Sequence, residues 1–275
     1  MKKSILITGC SYGGIGYVCA KTLYEMGFLV VATARKKEDV LLLRQEGLYA
    51  YVMDIRDQKS IKKALKKTLK LTNNSLDALF NNAGYGQLGA IEDLSIKDLK
   101  DQLDTNLFGY HRVIKEVLPI MYAQGYGKII NHSSILGLVS LKFRGAYQIS
   151  KYAIEAYSDT LSLELEGSGI SLSLLNTGPV ESLFRQNAIN NFYNTIDRSN
   201  SRFKDIYIDK IDNRKSSSFS LPASSVADVV HQILLSSNPK PRYYITKASY
   251  ILAFAKRVLS TKLFRKLCLT ISNKE

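Results

Sequence analysis

The chain is poor in cysteine and has no long apolar run. Its three cysteines, Cys10, Cys19 and Cys268, give neither a disulfide framework nor the spacing of a metal site. No stretch reaches the roughly 18 consecutive apolar residues that a membrane-spanning helix needs. The first apolar run, from Ser4 to Ile7, is too short for the core of a signal peptide. These absences predict a cytoplasmic protein with reduced thiols and no bound metal ion.

What is present is an ordinary globular composition. Of the 275 residues, 45% are hydrophobic and 23% are charged. This length is enough for one large domain with a well-buried core. The sequence contains no internal repeat and no linker, so it predicts a single domain over residues 1–275.

The net charge of +14 is concentrated in the last part of the sequence. Residues 240–275 contain nine lysines and arginines and a single acid, Glu275, which gives this segment a net charge of +8. A second group of lysines lies on a predicted helix over 57–72 that has apolar residues on its other side. This pattern indicates a solvated helix face, and without interleaved aromatic or arginine side chains it does not predict a nucleic-acid site. The group consists of Lys62, Lys63, Lys66, Lys67 and Lys70.

Short apolar segments alternate along the chain with longer amphipathic ones. This alternation is typical of right-handed β-α-β units, in which helices cover both faces of a parallel sheet. It predicts an α/β fold of the Rossmann type, a doubly wound parallel sheet of about seven strands. One long helix is expected from Ser95, an N-cap with Asp98 three residues on, to Ala123, with Asn106 at its middle. The predicted strands are Ser4–Thr8, Phe28–Ala34, Tyr49–Asp54, Leu76–Phe80, Lys128–His132, Ile170–Leu175 and Tyr243–Thr246.

A glycine-rich turn follows the first predicted strand and precedes the first predicted helix. It reads Gly9-Cys10-Ser11-Tyr12-Gly13-Gly14-Ile15-Gly16. Glycines let the backbone approach a pyrophosphate closely, and the N–H groups at a helix N-terminus attract the anion. Because both the strand and the helix are in place, the turn predicts a dinucleotide site.

The second predicted strand ends without the acidic residue that holds the ribose hydroxyls in NAD-binding units. Ala34 stands at that position, and Arg35, Lys36 and Lys37 follow it. An acid there would repel a 2′-phosphate, whereas arginine can bind it through two parallel hydrogen bonds. The sequence therefore favours NADP(H) as the cofactor.

Tyr147 and Lys151 are four residues apart on a predicted helix that runs to Glu166, so they share one helix face. A phenol normally titrates near about pH 10, and a nearby ammonium is expected to lower that pKa. Ser134, at the end of the preceding strand, offers a hydroxyl that can hydrogen-bond a carbonyl oxygen. Together the three groups suit proton transfer to or from an alcohol or a ketone.

With these motifs the chain resembles the classical short-chain dehydrogenase/reductase family along nearly its full length. Further matches are the run Asn81-Asn82-Ala83-Gly84 and the pair Gly178-Pro179. The spacings fit as well, because Ser134 precedes Tyr147 by 13 residues and Asn106 precedes it by 41. The resemblance is closest to bacterial NADP-dependent aldehyde/carbonyl reductases related to 17β-hydroxysteroid and retinol dehydrogenases. The doubled glycine of the turn is also similar to that of fungal acyl-dihydroxyacetone-phosphate reductases.

The resemblance implies a role for each catalytic residue. Tyr147 is the expected general acid/base, and Lys151 is expected to lower its pKa and to bind the nicotinamide ribose. Ser134 is expected to polarise the substrate oxygen. Asn106 is expected to hold a water molecule that connects Lys151 to solvent.

The resemblance also implies a set of cofactor contacts. Asp54 is expected at the adenine, Asn82 on the adenosine side and Ser182 at the nicotinamide carboxamide. Thr177 stands where the family usually has proline, and Ser182 stands where threonine is commoner. The full set is Gly9, Ser11, Tyr12, Gly14, Ile15, Gly16, Arg35, Asp54, Ile55, Asn82, Ala83, Gly84, Tyr147, Lys151, Pro179, Val180 and Ser182.

Two later segments have roles outside the sheet. Residues 183–221 mix aromatic residues with Asn, Ser and Arg, and this irregular segment is expected to form a substrate lid, with a disordered insertion as the alternative. A helix capped by Ser224 and a last strand follow.

Residues 248–271 predict a basic amphipathic helix, which suits peripheral contact with the inner membrane surface. The alternatives are a helix that covers the substrate pocket and one that packs on a second subunit of a homodimer or homotetramer.

These features predict an NADPH-dependent reductase of an apolar aldehyde or ketone, with Tyr147 donating the proton. The apolar residues from Leu136 to Phe143 favour an apolar substrate, and they suit a plain core equally well. An acyl-dihydroxyacetone-phosphate reductase-like or a hydroxysteroid/retinol dehydrogenase-like enzyme is an alternative within the family. A protein that binds NADP(H) without turnover and a sugar epimerase or dehydratase are alternatives of other classes.

Overall fold

A parallel sheet of seven strands forms the centre of the computed structural model, which describes residues 2–208, 211 and 220–274. The strand order is β3-β2-β1-β4-β5-β6-β7, and every neighbouring pair is parallel. This confirms the predicted doubly wound sheet. The strands are β1 Ser4–Ile7, β2 Leu29–Ala34, β3 Tyr49–Val52, β4 Ala78–Asn81, β5 Gly127–His132, β6 Ile170–Thr177 and β7 Arg242–Ile245.

Helices cover both faces of the sheet because its strands are apolar on both sides. In β1, Ile5 and Ile7 face one core and Leu6 faces the other, as the two-residue period of a strand requires. Helices α1, α2 and α9 pack on the first face, and α3, α5 and α6 pack on the second. The helices named so far are α1 Ile15–Glu25, α2 Lys37–Gln45, α3 Gln58–Leu71, α5 Gly109–Gln124, α6 Gly145–Glu164 and α9 Ser224–Leu235.

The strand order reverses between β1 and β4, which lie side by side at the centre of the sheet. In an open parallel sheet, ligands bind outside the carboxyl ends of the strands at this reversal. The residues that follow β1, β4, β5 and β6 therefore meet at one edge, which we call the carboxyl edge. The glycine turn, the Asn81-Gly84 run and Ser134 are all brought there.

The predicted long helix over 95–123 is present but is not α-helical throughout. Ser95 caps α4 (Ile96–Leu103) in a capping box with Asp98, as expected. A π-helical turn at Asp104–Phe108 then separates α4 from α5. Such turns insert an extra residue and occur mostly at functional sites. Here the turn carries the buried Asn106.

The predicted irregular segment over 183–221 contains two helices. These are α7 (Phe184–Thr195) and α8 (Lys204–Tyr207), and the rest of the expected lid at 209–210 and 212–219 lies outside the described residues. Phe192 and Tyr207 are fully buried and pack together with their ring centroids 4.9 Å apart. These aromatic side chains belong to a small core of their own. The role of the segment as a substrate lid stays a prediction.

The basic segment near the end of the sequence forms two helices instead of the single one predicted over 248–271. Helix α10 spans Lys247–Val258 and α11 spans Thr261–Lys274, with Leu259 in an extended conformation between them. Neither proline nor glycine marks this break in the sequence. Ser224 is likewise not a cap but the first residue of α9, whose N-cap is Ala223.

Helices α10 and α11 pack their buried side on the segment that follows Ser134. Ala253 and Cys268 share a core cluster with Ile135 and Val139. A hydrogen bond of 3.1 Å from the backbone N–H of Lys142 to the Ser272 hydroxyl adds a polar contact. Within the part of the chain that the structure describes, no helix combines the length and apolar character that crossing a membrane requires.

Candidate active site

The glycine turn is bonded to the segment after β4 at the carboxyl edge. Thr8, which follows β1, accepts hydrogen bonds on Oγ1 from the backbone N–H groups of Asn82 and Ala83, both at 3.0 Å. In return, Nδ2 of Asn82 donates to the carbonyl oxygens of Thr8 at 2.9 Å and Gly9 at 3.1 Å. These bonds fix the turn relative to the centre of the sheet.

His132, the last residue of β5, extends this network to β6. Its Nδ1 lies 2.9 Å from Oδ1 of Asn82, and its Nε2 lies 2.8 Å from Oγ1 of Thr177. Burial, with the charge of Lys151 as the smaller cause, lowers the pKa of His132 to about 3, so the ring is neutral. Because an amide oxygen only accepts, Nδ1 carries the proton and Nε2 accepts from the Thr177 hydroxyl. Thr177 stands at a position where proline is usual, and its hydroxyl gives the buried Nε2 of His132 a hydrogen-bond donor.

Two glycines of the turn are required by packing. Gly9 has a φ of +74°, and an added Cβ would lie 2.5 Å from Cα of Ala83. A Cβ on Gly16 would lie 2.6 Å from the carbonyl oxygen of Gly9. Gly14 is the N-cap of α1, and among the described residues no side chain caps this helix. The first turn of α1 has no acidic residue either, so its N–H groups and positive dipole suit a phosphate.

The rest of the turn and Arg35 lie at the solvent side of the site. Ser11, Tyr12 and Arg35 are exposed, while Ile15 is partly buried at the start of α1. The Tyr12 backbone N–H donates to Oδ1 of Asp39 in α2 at 3.3 Å. The turn and the start of α2, which Arg35 precedes, therefore form one rim of the site.

Asp54 and Ile55 follow β3 and have different surroundings. Oδ1 of Asp54 accepts from the backbone N–H of Arg56 at 2.9 Å and lies 3.7 Å from its Nε. Ile55 is 6% exposed and packs in the core against Gly109. The adenine contact of Asp54 stays a prediction, and Ile55 is first of all a core residue.

Ser134, Tyr147 and Lys151 come together where β5 ends and α6 begins. Nζ of Lys151 is buried, donates to the carbonyl oxygen of His132 at 2.6 Å, and lies 5.6 Å from the ring centroid of Tyr147. The Ser134 hydroxyl lies beside the Tyr147 side chain and donates to the carbonyl oxygen of Thr177 at 3.3 Å. The arrangement brings a phenol, a hydroxyl and an amine to one point of the carboxyl edge.

Burial dominates the titration of both ionisable groups. It raises the pKa of Tyr147 to about 12, and the nearby Ser134 hydroxyl opposes this only in part. It lowers the pKa of Lys151 to about 8, partly offset by the charge of Glu155. The expected lowering of the Tyr147 pKa by Lys151 is therefore absent in the protein alone. At neutral pH the phenol holds its proton, which is the form that can donate one.

Asn106 connects the segment after β4 to α6. Its Nδ2 donates to the Tyr85 carbonyl oxygen and to the Ser150 hydroxyl, both at 3.0 Å, and its Oδ1 accepts from the Tyr85 N–H at 3.2 Å. A Cβ on Gly84 would lie only 3.0 Å from that oxygen. The predicted water connection from Asn106 to Lys151 stays a prediction.

A buried charge network behind Ser134 was missed from the sequence. Glu155 is 6% exposed and accepts hydrogen bonds from Ser133 Oγ, from Asn176 Nδ2 at 2.7 Å, and from Arg242 Nη1. The same Nδ2 of Asn176 donates to the carbonyl oxygen of Ser134 at 3.2 Å. Glu155 follows Lys151 by four residues, and this spacing on one helix face was the available signal.

The start of the expected lid lies over the site. Pro179 and Val180 pair with Leu221, and Ser182 Oγ accepts from the Phe184 backbone N–H at 3.4 Å. The Phe184 ring packs on Tyr147 with the ring centroids 5.5 Å apart. The site is thus apolar on the side of α7, and the contacts of Pro179, Val180 and Ser182 with a cofactor stay predictions.

Comparison with known protein families gives one match over most of the chain. A sequence model described as short chain dehydrogenase matches residues 3–191.

Several curated relatives are similar to this chain. The oxidoreductase YbbO of Escherichia coli (strain K12) is 36% identical over 267 residues, which cover 97% of this chain and 94% of YbbO. The NADPH-dependent 1-acyldihydroxyacetone phosphate reductase of Schizosaccharomyces pombe is 37% identical over 66% of this chain and 60% of its own length. The 3-ketodihydrosphingosine reductase of Bacteroides thetaiotaomicron is 36% identical over 66% of each.

Solved structures share the fold. A short chain dehydrogenase/reductase of Burkholderia phymatum in complex with NAD has a TM-score of 0.77 at 24% identity, covering 94% of this chain and 92% of that one. A short chain dehydrogenase of Burkholderia cenocepacia in complex with NADP has a TM-score of 0.75 at 18% identity, covering 97% and 98%. At this identity the similarity establishes the fold alone.

Proposed function

The chain belongs to the short chain dehydrogenase family, and on this premise we propose that it is an NADPH-dependent reductase of apolar aldehydes or ketones. The observation that carries the proposal is the placement of Ser134, Tyr147 and Lys151 together at the carboxyl edge, with the phenol protonated at neutral pH. A carbonyl oxygen needs a proton when the carbonyl carbon receives a hydride, and a protonated phenol can supply it.

When bound, NADPH supplies the hydride. Tyr147 donates its proton to the carbonyl oxygen, so the carbonyl becomes an alcohol and the phenol becomes a phenolate. The Ser134 hydroxyl, which lies beside Tyr147, holds the same oxygen and orients it toward the proton. The Lys151 ammonium beside the ring stabilises the phenolate, because opposite charges attract strongly where water is excluded. Proton return from solvent to Tyr147 completes the cycle.

The surroundings of the glycine turn fit NADP(H) in particular. The first turn of α1 is without acidic residues and suits the pyrophosphate, and Arg35 stands exposed after β2 for a 2′-phosphate. Among similar folds, one binds NAD and another NADP, so the fold leaves the choice open. We assign the preference for NADP(H) to Arg35.

An apolar substrate is supported by the walls of the site and by the relatives. Phe184 packs on Tyr147, and Leu136 and Leu138, just after Ser134, are only partly buried. Two relatives are named as reductases of an acyldihydroxyacetone phosphate and of 3-ketodihydrosphingosine, both ketones that carry a long chain. We therefore expect ketones or aldehydes with an extended apolar part.

We also expect the protein in the cytoplasm, since its three cysteines are free.

The test is NADPH oxidation by the purified protein with a panel of carbonyl compounds. The panel holds medium-chain aldehydes, retinal, steroid ketones, an acyldihydroxyacetone phosphate and 3-ketodihydrosphingosine. With an accepted substrate, Tyr147→Phe is expected to lower kcat/KM by about 10²–10⁴-fold, the usual loss on removing a general acid. Tyr152→Phe, an exposed tyrosine on the same helix, is the matched control and keeps full activity.

Two results contradict the proposal. One is NADPH oxidation that Tyr147→Phe leaves intact. The other is tight NADPH binding with no turnover on any substrate, which supports the non-catalytic NADP(H)-binding protein instead.

The cofactor assignment is tested separately with Arg35→Glu, which is expected to shift the ratio of kcat/KM for NADPH over NADH by about tenfold or more toward NADH. An unchanged ratio contradicts the role of Arg35.

A further inference from the structure

Helices α10 and α11 expose a row of large apolar side chains. Tyr250, Phe254 and Val258 are spaced by four residues, so they lie on one face of α10 together with Ile251. Ile251 is 65% exposed and Phe254 is 67% exposed. Leu263 on α11 is exposed as well. We call Tyr250, Ile251, Phe254, Val258 and Leu263 the α10–α11 face.

The opposite side of α10 is buried, so this exposure does not reflect a loosely packed helix. Ser249 is fully buried and Ala253 is 5% exposed, and the latter packs with Ile135 and Val139. Lys256 is anchored to α6 through the Tyr152 hydroxyl at 3.2 Å. One side of the helix is therefore packed on the rest of the chain, while the apolar residues of the other side are exposed to solvent.

Basic residues border the α10–α11 face, and the sequence has no acidic residue from 247 to 274. The exposed cations on the two helices are Lys247, Lys256, Arg257, Lys262, Arg265 and Lys266. Apolar side chains among cations complement a surface with an apolar interior and anionic groups above it. An anionic phospholipid bilayer is such a surface.

A second copy of the chain is a poor occupant for this face. A symmetric dimer places the same surface on both subunits, so it would bring two segments of like charge together. Each of these segments carries a net charge of +8 over 240–275. Like charges brought together across an interface oppose association.

We propose that the α10–α11 face binds the surface of an anionic phospholipid bilayer. The apolar side chains enter the boundary between headgroups and acyl chains, and the lysines and arginines lie at the lipid phosphates. The chain attaches peripherally, with α10 and α11 parallel to the membrane plane. This inference does not depend on the proposed enzymatic reaction.

The attachment gives the site a defined place relative to the membrane. The other side of α10 and α11 packs on the segment that begins one residue after Ser134. Helices α10 and α11 therefore lie between the bilayer and the segment that carries Leu136 and Leu138. If the substrate is apolar, as proposed above, this arrangement places the site one layer of helices away from the lipid phase in which such a molecule dissolves.

The test is co-sedimentation of the full chain with vesicles. One set of vesicles is phosphatidylcholine alone, and the other contains equal amounts of phosphatidylcholine and phosphatidylglycerol. We expect binding to the anionic vesicles that weakens with added salt. The double variant Lys262→Glu with Lys266→Glu is expected to weaken it about 30-fold or more, at about 1 kcal/mol for each cation removed. Ile251→Ser with Phe254→Ser is expected to weaken it about tenfold or more.

Matched controls separate the face from general properties of the surface. Lys66→Glu with Lys70→Glu makes the same change in net charge on exposed lysines of α3, at the same spacing of four residues. Ile96→Ser with Leu163→Ser removes two equally exposed apolar side chains elsewhere. Both controls are expected to bind like the unchanged protein.

Three results overturn the proposal. The first is no binding to anionic vesicles. The second is equal loss of binding in the α3 control and the Lys262/Lys266 variant. The third is a dimer in lipid-free solution, seen by analytical ultracentrifugation, that Ile251→Ser with Phe254→Ser dissociates. That last result would assign the face to a second copy.

Discussion

The carboxyl edge of the sheet buries polar groups, whereas the α10–α11 face exposes apolar ones. At the edge, His132 is 8% exposed and Lys151 is 5% exposed, and each is hydrogen-bonded to other residues of the chain. On the face, Phe254 is 67% exposed. A buried polar group is costly unless it is bonded, and an exposed apolar group forgoes its transfer free energy. His132 and Lys151 are therefore satisfied within the chain, while the apolar face is satisfied only by a molecule outside it.

The largest effect is expected from breaking the charge network behind Ser134. Arg242→Met leaves the carboxylate of Glu155 buried without its cation. We expect a loss of about 3–5 kcal/mol in the free energy of unfolding, measured by urea denaturation. Arg202→Met is the matched control, because its ion pair with Glu92 is exposed and is expected to contribute less than about 1 kcal/mol. Equal losses for the two variants would contradict the claim that burial makes the loss of the Arg242–Glu155 ion pair more costly.

The next effect concerns the hydrogen bond between His132 and Thr177. Thr177→Val keeps the shape of the side chain but leaves the buried Nε2 of His132 without a donor. We expect a loss of about 1–3 kcal/mol in the free energy of unfolding. Thr270→Val, at an exposed threonine of α11, is the control and is expected to change it by less than about 0.5 kcal/mol. If Thr177→Val is neutral, His132 is satisfied in another way.

The pH dependence of the reaction tests the charge of Lys151. Its pKa of about 8 in the protein means that the ammonium form is lost as the pH rises through that value. We expect kcat/KM for NADPH to be level below about pH 8 and to fall about tenfold per pH unit above it. The phenol of Tyr147, with a pKa of about 12, keeps its proton throughout this range.

The variant Lys151→Arg sharpens this test, because arginine keeps its charge. Its activity is expected to be lower through changed geometry, but the fall above about pH 8 disappears. A profile that instead rises toward high pH in the unchanged protein would mean that a neutral amine or a phenolate is the active form.

The smallest effect on stability is expected on the α10–α11 face. Ile251→Ser with Phe254→Ser removes two side chains that bury little against the chain. We expect a change of less than about 0.5 kcal/mol in the free energy of unfolding. The same double variant is expected to lose most of its vesicle binding. A loss of stability above about 2 kcal/mol would show that the face is part of the core.

The sequence was sufficient for the sheet and for bringing together the groups proposed as catalytic. The strands are apolar runs buried on both faces, and Tyr147 and Lys151 share a helix face because of their spacing. The π-helical turn at Asp104–Phe108 was not predicted, since the one residue that it inserts changes the pattern of apolar positions only locally. The break between α10 and α11 at Leu259 was not predicted either, because no proline or glycine marks it in the sequence.

Environment was harder to predict than position. The spacing of Tyr147 and Lys151 predicted a lowered pKa for the phenol. Burial raises this pKa instead, and the spacing of residues in the sequence does not reveal how deeply a side chain is buried. The aromatic content of residues 183–221 favoured a lid, but composition does not show that two of these residues, Phe192 and Tyr207, pack in a small core. Arg242 was missed because its ion-pair partner, Glu155, lies 87 positions away in the sequence.

The pairing of Arg242 with Glu155 has a consequence for the order in which the molecule is completed. The two residues are 87 positions apart, and Glu155 is synthesised first. Until Arg242 has been synthesised, the carboxylate has only Lys151 on the same helix to offset its desolvation, so helix α6 settles against Ser133 and Asn176 at a higher free-energy cost. Strands β1 to β5 can collapse earlier. The end of α6 that carries Tyr147 and Lys151 is expected to settle fully only after the seventh strand has joined the sheet.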